Sequence, residues 1–283
     1  MLSTSKNVMK PGVNADLRVA LLGTGKMGGI LLQGFLSAEL LKPEQIAATV
    51  AHEERAKDIS ELLGVAVGTN NPEAARGANV VLLGVKPHQI GDVVREIQPV
   101  LEPGALLISF AASVKTRAIE DEAGGEVAVI RAMPNTPSAV GAGVTALCRG
   151  RFVSEEQLDI AQKIFATVGR TVVVDEKHMD AVTGLSGSGP AFLYIIIEAL
   201  AEAGVNVGLP RNIATLLAAQ TTFGSAKKVL ETGAHPALLK DEVTTPGGCT
   251  VDGILELEAG GLRITLLKAV KRAAERAKEL AGN

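Results

Sequence analysis

The sequence predicts an α/β fold: a doubly wound parallel sheet in the N-terminal part, followed by an all-helical C-terminal domain. Two observations carry this. Up to residue 175, short runs that are apolar throughout alternate with stretches of helical periodicity, the pattern of strands covered on both faces. From residue 176 onward the strand-like runs cease and only helical patterns remain.

The elements follow in order. Residues 18–22 read as a buried strand, 29–40 as a helix, 46–51 as the next strand and 53–63 as a helix. Strands are expected over 65–67, 80–84, 105–108 and 127–130, with helices over 93–101 and 115–122 between them. Two further strands, 144–147 and 171–174, close the domain around a helix over 154–167, where Ser154 and Gln157 have the spacing of a capping box. The C-terminal helices are expected over 191–203, 211–230, 236–242, 251–258 and 262–280. Pro190, Pro210 and Pro236 stand at helix starts and Gly204 and Gly233 at ends. The run over 191–197 is apolar nearly all round, so it needs burial on several sides, within its own domain or against a second subunit.

Composition narrows the class. The 283 residues allow two domains. With 47% hydrophobic and 21% charged residues, the chain is ordinary for a soluble globular protein. Aromatics are 2% with no Trp, which argues against base-stacking platforms for single-stranded nucleic acid. A net charge of −3 gives no general attraction to phosphate backbones. The longest apolar run, over 191–197, ends at Glu198 and is short for a membrane span. Residues 1–16 are polar, without a signal-peptide core, and read as a flexible tail. Cys148 and Cys249 lack metal-ligand spacing, and a reducing cytoplasm is the simplest home; no metal site is expected.

Gly23-Thr24-Gly25-Lys26-Met27-Gly28 is G-x-G-x-x-G between the first strand and first helix. In that setting the first glycine permits a tight turn, the second lets backbone approach a pyrophosphate, and the third allows close helix–strand packing. The N-terminal domain, residues 17–175, is therefore expected to be a Rossmann-type dinucleotide-binding domain. At the end of the second strand, where an acidic residue would bind the ribose of NAD, the chain has Ala51 and His52, with Arg55 close by. This favours a 2′-phosphate and hence NADP, although Glu53 and Glu54 follow directly and either could take the ribose position. Val85-Lys86-Pro87-His88, Ala111-Ala112-Ser113 and Met133-Pro134-Asn135-Thr136-Pro137 follow later strands at the same sheet edge. Val85, Lys86, Pro87, Ala111 and Asn135 join the cofactor-binding candidates: Lys86 to meet negative charge, Ala111 to let a nicotinamide pass, Asn135 to present its amide.

Thr244-Thr245-Pro246-Gly247-Gly248-Cys249-Thr250 interrupts strongly helical sequence with residues that are costly in helices. A Gly-Gly loop feeding a helix start exposes backbone N–H groups fit for an anion such as a carboxylate. The bland alternative is an inter-helix turn.

Taken in order, the glycine loop, the Val-Lys-Pro turn, the Asn-Thr-Pro loop, Gly187-Ser188-Gly189-Pro190-Ala191 and the Pro-Gly-Gly-Cys-Thr loop resemble the pyrroline-5-carboxylate reductases, enzymes of the last step of proline synthesis. The resemblance runs from Arg18 to the C-terminal helix and is most specific over residues 239–250. Lys26 departs from the family's frequent Asn, and Cys249 fills a variable position and adds a thiol near the site. The resemblance implies reduction of a cyclic C=N bond with hydride from NADPH, or NADH, to give L-proline. It implies that Thr245, Gly247, Gly248, Cys249 and Thr250 bind substrate, with the Gly248, Cys249 and Thr250 amides on the carboxylate and the Thr250 hydroxyl, as catalytic group, on the ring nitrogen. It also implies that residues 176–283 form a substrate and dimerisation domain, with homodimers through the C-terminal helices that assemble further. Two rivals remain: another two-domain dehydrogenase such as a β-hydroxyacid dehydrogenase, which would need a Lys on the helix after Pro190 where none stands, and a non-catalytic NADP-binding redox sensor.

Overall fold

The computed structural model describes residues 17–281; the expected tail, 1–16, lies outside them. Among the described residues eight strands form one sheet: β1 (Val19–Leu22), β2 (Ile46–Thr49), β3 (Ala66–Gly68), β4 (Val80–Leu83), β5 (Leu106–Ser109), β6 (Ala128–Met133), β7 (Gly143–Arg149) and β8 (Gly169–Val173). Their order across the sheet is β3-β2-β1-β4-β5-β6-β7-β8. The first six are parallel, in the strand order of a dinucleotide-binding sheet.

The two closing strands run against the parallel part of the sheet. β7 runs antiparallel to β6, and β8 is parallel to β7, so both are reversed. The link from Met133 to Gly143 is too short for a helical crossover, which needs about a dozen residues, so the chain can only turn back.

Helices α1 (Lys26–Ser37), α2 (Glu53–Leu63), α3 (Asn71–Ala75), α4 (Ile90–Ile97), α5 (Thr116–Ala123) and α6 (Glu155–Ala166) cover the sheet. Strand side chains alternate between two cores. Leu21, Leu82, Ile108 and Ile130 pack with Leu31, Leu32 and Phe35 of α1 and Ile164 and Phe165 of α6. Leu22, Val81, Leu83, Leu107 and Val129 pack on the opposite face with Ile90, Val94 and Ile97 of α4 and Ile119 of α5. Each fully buried side chain of this size contributes about 1.5–3 kcal/mol, so both faces tie the strand ends to fixed positions.

Some boundaries shift for local reasons. α1 ends three residues before Leu40 because Glu39 takes a left-handed φ of 52°, which turns Leu40 and Leu41 into the core. α4 gives way to a 3₁₀ turn at Gln98–Val100, where Pro99 has no N–H to continue the helix. Ser154 caps α6 with the expected capping box.

The remaining helices are α7 (Met179–Val182), α8 (Gly189–Asn206), α9 (Arg211–Thr232), α10 (Pro236–Glu242), α11 (Cys249–Ala259) and α12 (Leu262–Ala281). A π-helical turn, Thr183–Gly187, joins α7 to α8. Gly204 does not end α8 as expected. It lies inside the helix, where a Cβ would come within 2.9 Å of the Ala214 Cβ, so it permits close packing on α9. Gly233 does end α9, at φ 65°.

By compactness the chain divides at Gly187/Ser188, and the end of α12 from Ala274 belongs with the first unit. In the second unit few side chains are buried: Pro190, Ala201, Ala214 and Ala218. Leu193, Tyr194, Ile195, Leu216, Leu217 and Phe223 are exposed. The continuous helical stretch Glu176–Asn206 is long and apolar enough, by length and composition, to cross a membrane, which the single run over 191–197 does not reveal.

Candidate active site

The glycine loop takes the form its three positions demand. Gly23 sits at φ 86°, and a Cβ there would lie 2.7 Å from Val85 Cγ1 and 2.8 Å from the Val85 nitrogen. Gly25 is the N-cap of α1 and faces open space, with no atom within 4 Å of a Cβ. Gly28 packs against β1, where a Cβ would meet Leu21 Cδ2 at 3.0 Å. The Thr24 amide donates to the Thr49 carbonyl at 2.7 Å and the Gly23 amide to Thr49 Oγ1 at 3.1 Å. The loop is thus stapled to the end of β2.

A cleft of about 570 Å³ opens at the carboxyl edge of the sheet, lined by residues from this loop, from the ends of β2 and β4 and from the start of α3. Of the residues the sequence offers for the cofactor, Gly23, Thr24, Gly25, His52, Arg55, Val85 and Lys86 line it. Lys26, Met27, Gly28, Pro87, Ala111 and Asn135 do not. Lys26 is exposed at the first position of α1, Met27 packs on the core, and Gly28 is buried. Pro87 opens a 3₁₀ turn, and Ala111 is buried beyond the loop.

Asn135 is 8% exposed and spends its amide on the protein: Oδ1 accepts from the Val144 amide at 3.0 Å and Nδ2 donates to the Ser186 carbonyl at 3.1 Å. It links the end of β6 to β7 and to the π-helical turn.

The two glutamates beside His52 stand outside the cleft lining. Glu53 accepts a hydrogen bond from the Thr69 hydroxyl at 2.6 Å, and neither Glu53 nor Glu54 lines the cleft. Arg55 does, with Nη2 held 3.2 Å from the Thr24 carbonyl. No carboxylate lines this cleft among the described residues.

Sequence reasoning missed several residues here. Gly84 is one: a Cβ would fall 2.6 Å from the Gly23 carbonyl and 2.5 Å from Phe110 Cζ, so only glycine lets the end of β4 approach the loop. Its place right after a fully apolar strand was the available signal. Thr49, Thr69, Asn71 and Gln89 also line the cleft, and nothing in their local sequence marks them.

In the second unit, residues 244–250 form a tight turn into α11. Gly247 has φ 70°, and the Gly248 amide donates to the Thr245 carbonyl at 2.9 Å. Gly248 is the N-cap. Its amide is therefore used by the turn, and Cys249 and Thr250 are the first two residues of the helix proper. Thr250 is half-buried, whereas Thr245 and Cys249 are exposed. The N-cap position is thus held by Gly248, and Thr250 lies within the first turn of α11.

A family model for pyrroline-5-carboxylate reductase dimerisation matches residues 176–280, and one for coenzyme F420-dependent NADP oxidoreductases matches 18–113. The chain is 43% identical over 259 residues to a pyrroline-5-carboxylate reductase of Glycine max, covering 92% of this chain and 94% of the other.

The chain belongs to the pyrroline-5-carboxylate reductase family.

The solved structure of a Coxiella burnetii pyrroline-5-carboxylate reductase is 38% identical, with a TM-score of 0.88 over 94% of this chain and 99% of the other. The Plasmodium falciparum pyrroline carboxylate reductase, solved with NADP bound, is 31% identical, with a TM-score of 0.85 over 95% of this chain and 100% of the other. The apolar stretch Glu176–Asn206 begins where the dimerisation match begins.

Proposed function

We propose that this protein reduces the C=N bond of L-1-pyrroline-5-carboxylate to L-proline with NADPH, the last step of proline biosynthesis. The observation that carries this reading is the cleft above an open glycine loop, lined by no carboxylate among the described residues, in a chain whose relatives match it over nearly its whole length.

The cleft fits a dinucleotide phosphate. Gly25 leaves the head of α1 open, and the buried Thr24 hydroxyl has no partner among the described residues. The helix N-terminus favours an anion there. Gly23, Thr24 and Gly25 would hold the pyrophosphate, while Arg55 and His52 would meet the 2′-phosphate and Lys86 adds positive charge at the cleft's other wall. Pro87 opens the turn that follows Lys86, Ala111 lies in the core against which Val85 packs, and Asn135 fixes the neighbouring strand ends. NADPH supplies the hydride; NADH lacks the phosphate that Arg55 would bind, so it is the weaker donor.

The substrate is a small cyclic imino acid. The Cys249 and Thr250 amides, at the head of α11, hold its carboxylate, Gly247 and Gly248 shape the turn that presents them, and Thr245 adds a hydroxyl. The Thr250 hydroxyl bonds to the ring nitrogen and delivers the proton that balances hydride addition at carbon. Reduction of a protonated imine then needs positioning above all, which supplies a large share of enzymatic rate.

The exposed apolar residues of α8 and α9 meet the same surface of a second copy, so the working unit is a homodimer or a higher homo-oligomer built on it. With Cys148 and Cys249 both free, we place the enzyme in the reducing cytoplasm. A β-hydroxyacid dehydrogenase is disfavoured because α8 carries no Lys. Steady-state assays of NADPH oxidation with the cyclic imine, beside NADP reduction with 3-hydroxy acids, test the proposal. Turnover of the hydroxy acids alone would replace it.

A further inference from the structure

Beneath the glycine loop runs a chain of four hydrogen-bonding groups that starts outside the cleft. Glu96 Oε2, on α4, accepts from Asn71 Nδ2 at 2.8 Å. Asn71 Oδ1, at the start of α3, accepts from the Thr49 hydroxyl at 2.8 Å. Thr49 Oγ1, at the end of β2, accepts from the Gly23 amide at 3.1 Å. Thr49 is 2% exposed, and Asn71 and Thr49 line the cleft. Glu96 does not.

The sense of this chain is set from both ends, by a backbone N–H that can only donate and a carboxylate that accepts. A hydroxyl has one proton; once Thr49 Oγ1 receives the Gly23 N–H, its own proton needs an acceptor. The Asn71 amide supplies one only with its oxygen toward Thr49. Turned over, it would offer N–H to the hydroxyl and present its oxygen to another oxygen at Glu96. An ionised carboxylate is acceptor-only. Glu96 therefore makes the reversed orientation costly, and every link down to Gly23 keeps its direction.

We propose that Glu96 is a positioning residue for the dinucleotide: through Asn71 and Thr49 it fixes the Gly23 amide and so the shape of the phosphate loop. This rests on the cofactor reading above. It assigns a favourable role to a carboxylate whose bare charge, so near the cleft, would oppose a phosphate-rich ligand.

The test is calorimetric titration of the full-length protein with NADPH, alongside imine-reduction kinetics and thermal melting. Glu96→Ala should raise the NADPH Kd at least five-fold and KM in parallel, with kcat at saturating NADPH within two-fold of wild type. Glu96→Gln keeps an acceptor oxygen for Asn71 Nδ2 and should restore binding. Thr49→Val should match Glu96→Ala or exceed it, whereas Thr49→Ser should bind as wild type. The Glu96→Ala/Thr49→Val double variant should be no worse than Thr49→Val alone, because both break one chain. Unaltered NADPH affinity in Glu96→Ala overturns the relay, as do additive effects in the double variant. Tighter binding also overturns it and reduces Glu96 to a repulsive charge. A wild-type protein with no measurable NADPH affinity removes the cofactor reading and this inference together, whereas wild-type affinity in every variant removes the relay alone.

Discussion

Gly23 lies so close to Val85 that a single added methyl would stand 2.7 Å from the valine Cγ1. The contact joins the ends of β1 and β4 at the point where the sheet's connections diverge, and it comes on top of a φ of 86° that favours glycine.

Gly23→Ala should therefore disable the cofactor site. The left-handed backbone alone costs about 1–2 kcal/mol for a residue with a Cβ, and the steric contact adds to it. A loss of NADPH affinity of at least ten-fold, read by titration, is expected. Unaltered affinity would show that the loop does not carry the phosphate.

Arg55 is anchored on the Thr24 carbonyl at the cleft wall. Arg55→Ala should weaken NADPH far more than NADH. A hydrogen bond to a charged group is worth about 1.5–3 kcal/mol, so the ratio of kcat/KM for the two cofactors should shift by about ten-fold or more toward NADH. Equal losses for both would assign Arg55 to the shared part of the dinucleotide.

Thr250 follows the N-cap of α11 by two positions. Thr250→Ala should lower kcat/KM for the imine about ten-fold or more, on the scale of a lost hydrogen bond to a charged group. It should leave the melting temperature nearly in place, because Gly248 holds the cap. Thr250→Ser should keep most of the activity. Full activity in Thr250→Ala removes the hydroxyl from the chemistry.

Ile195 on α8 is 64% exposed in the single chain and flanked by exposed Leu193 and Tyr194. Ile195→Asp would bury an unpaired carboxylate if this face meets a second copy, a costly outcome. Sedimentation should show smaller species than wild type. A wild-type protein that sediments as an active monomer contradicts the assembly.

The two thiols should differ in reactivity. Burial pushes Cys148 up to about 11, helped by the nearby Glu176 charge, so its thiol stays protonated at neutral pH. Because the folded state holds this proton more tightly than the unfolded chain, the stability it lends is full below the ordinary thiol range near pH 9 and is lost as pH rises toward 11. Alkylation of the native protein at neutral pH should label exposed Cys249 alone, and denaturation should release Cys148. Labelling of both in the native state would contradict the burial.

Much of this was legible in the chain, for reasons particular residues show. Gly23, Gly25 and Gly28 act on backbone shape, and their spacing survives in any projection of the sequence. The apolar strands announced a sheet buried on both faces. Other features depend on distant partners. The reversal of β7 follows from the short link after Met133, a length that local periodicity does not weigh. Asn135 looked like a group reaching for ligand, yet its amide is engaged by Val144 and Ser186, which lie 9 and 51 residues further along. Thr49, Asn71 and Glu96 are linked only once three crossovers bring them together. Gly204 looked like a helix end because the close passage of α9 is invisible within α8 itself.

The central claim is that this protein turns a cyclic imino acid into proline at the expense of NADPH. It is tested most directly by incubating the purified protein with L-1-pyrroline-5-carboxylate and NADPH and quantifying both the oxidised cofactor and the product. One equivalent of L-proline for each NADPH consumed is the expected result. Cofactor that remains reduced in the presence of that imine, with protein that is folded and binds NADPH, would contradict the account.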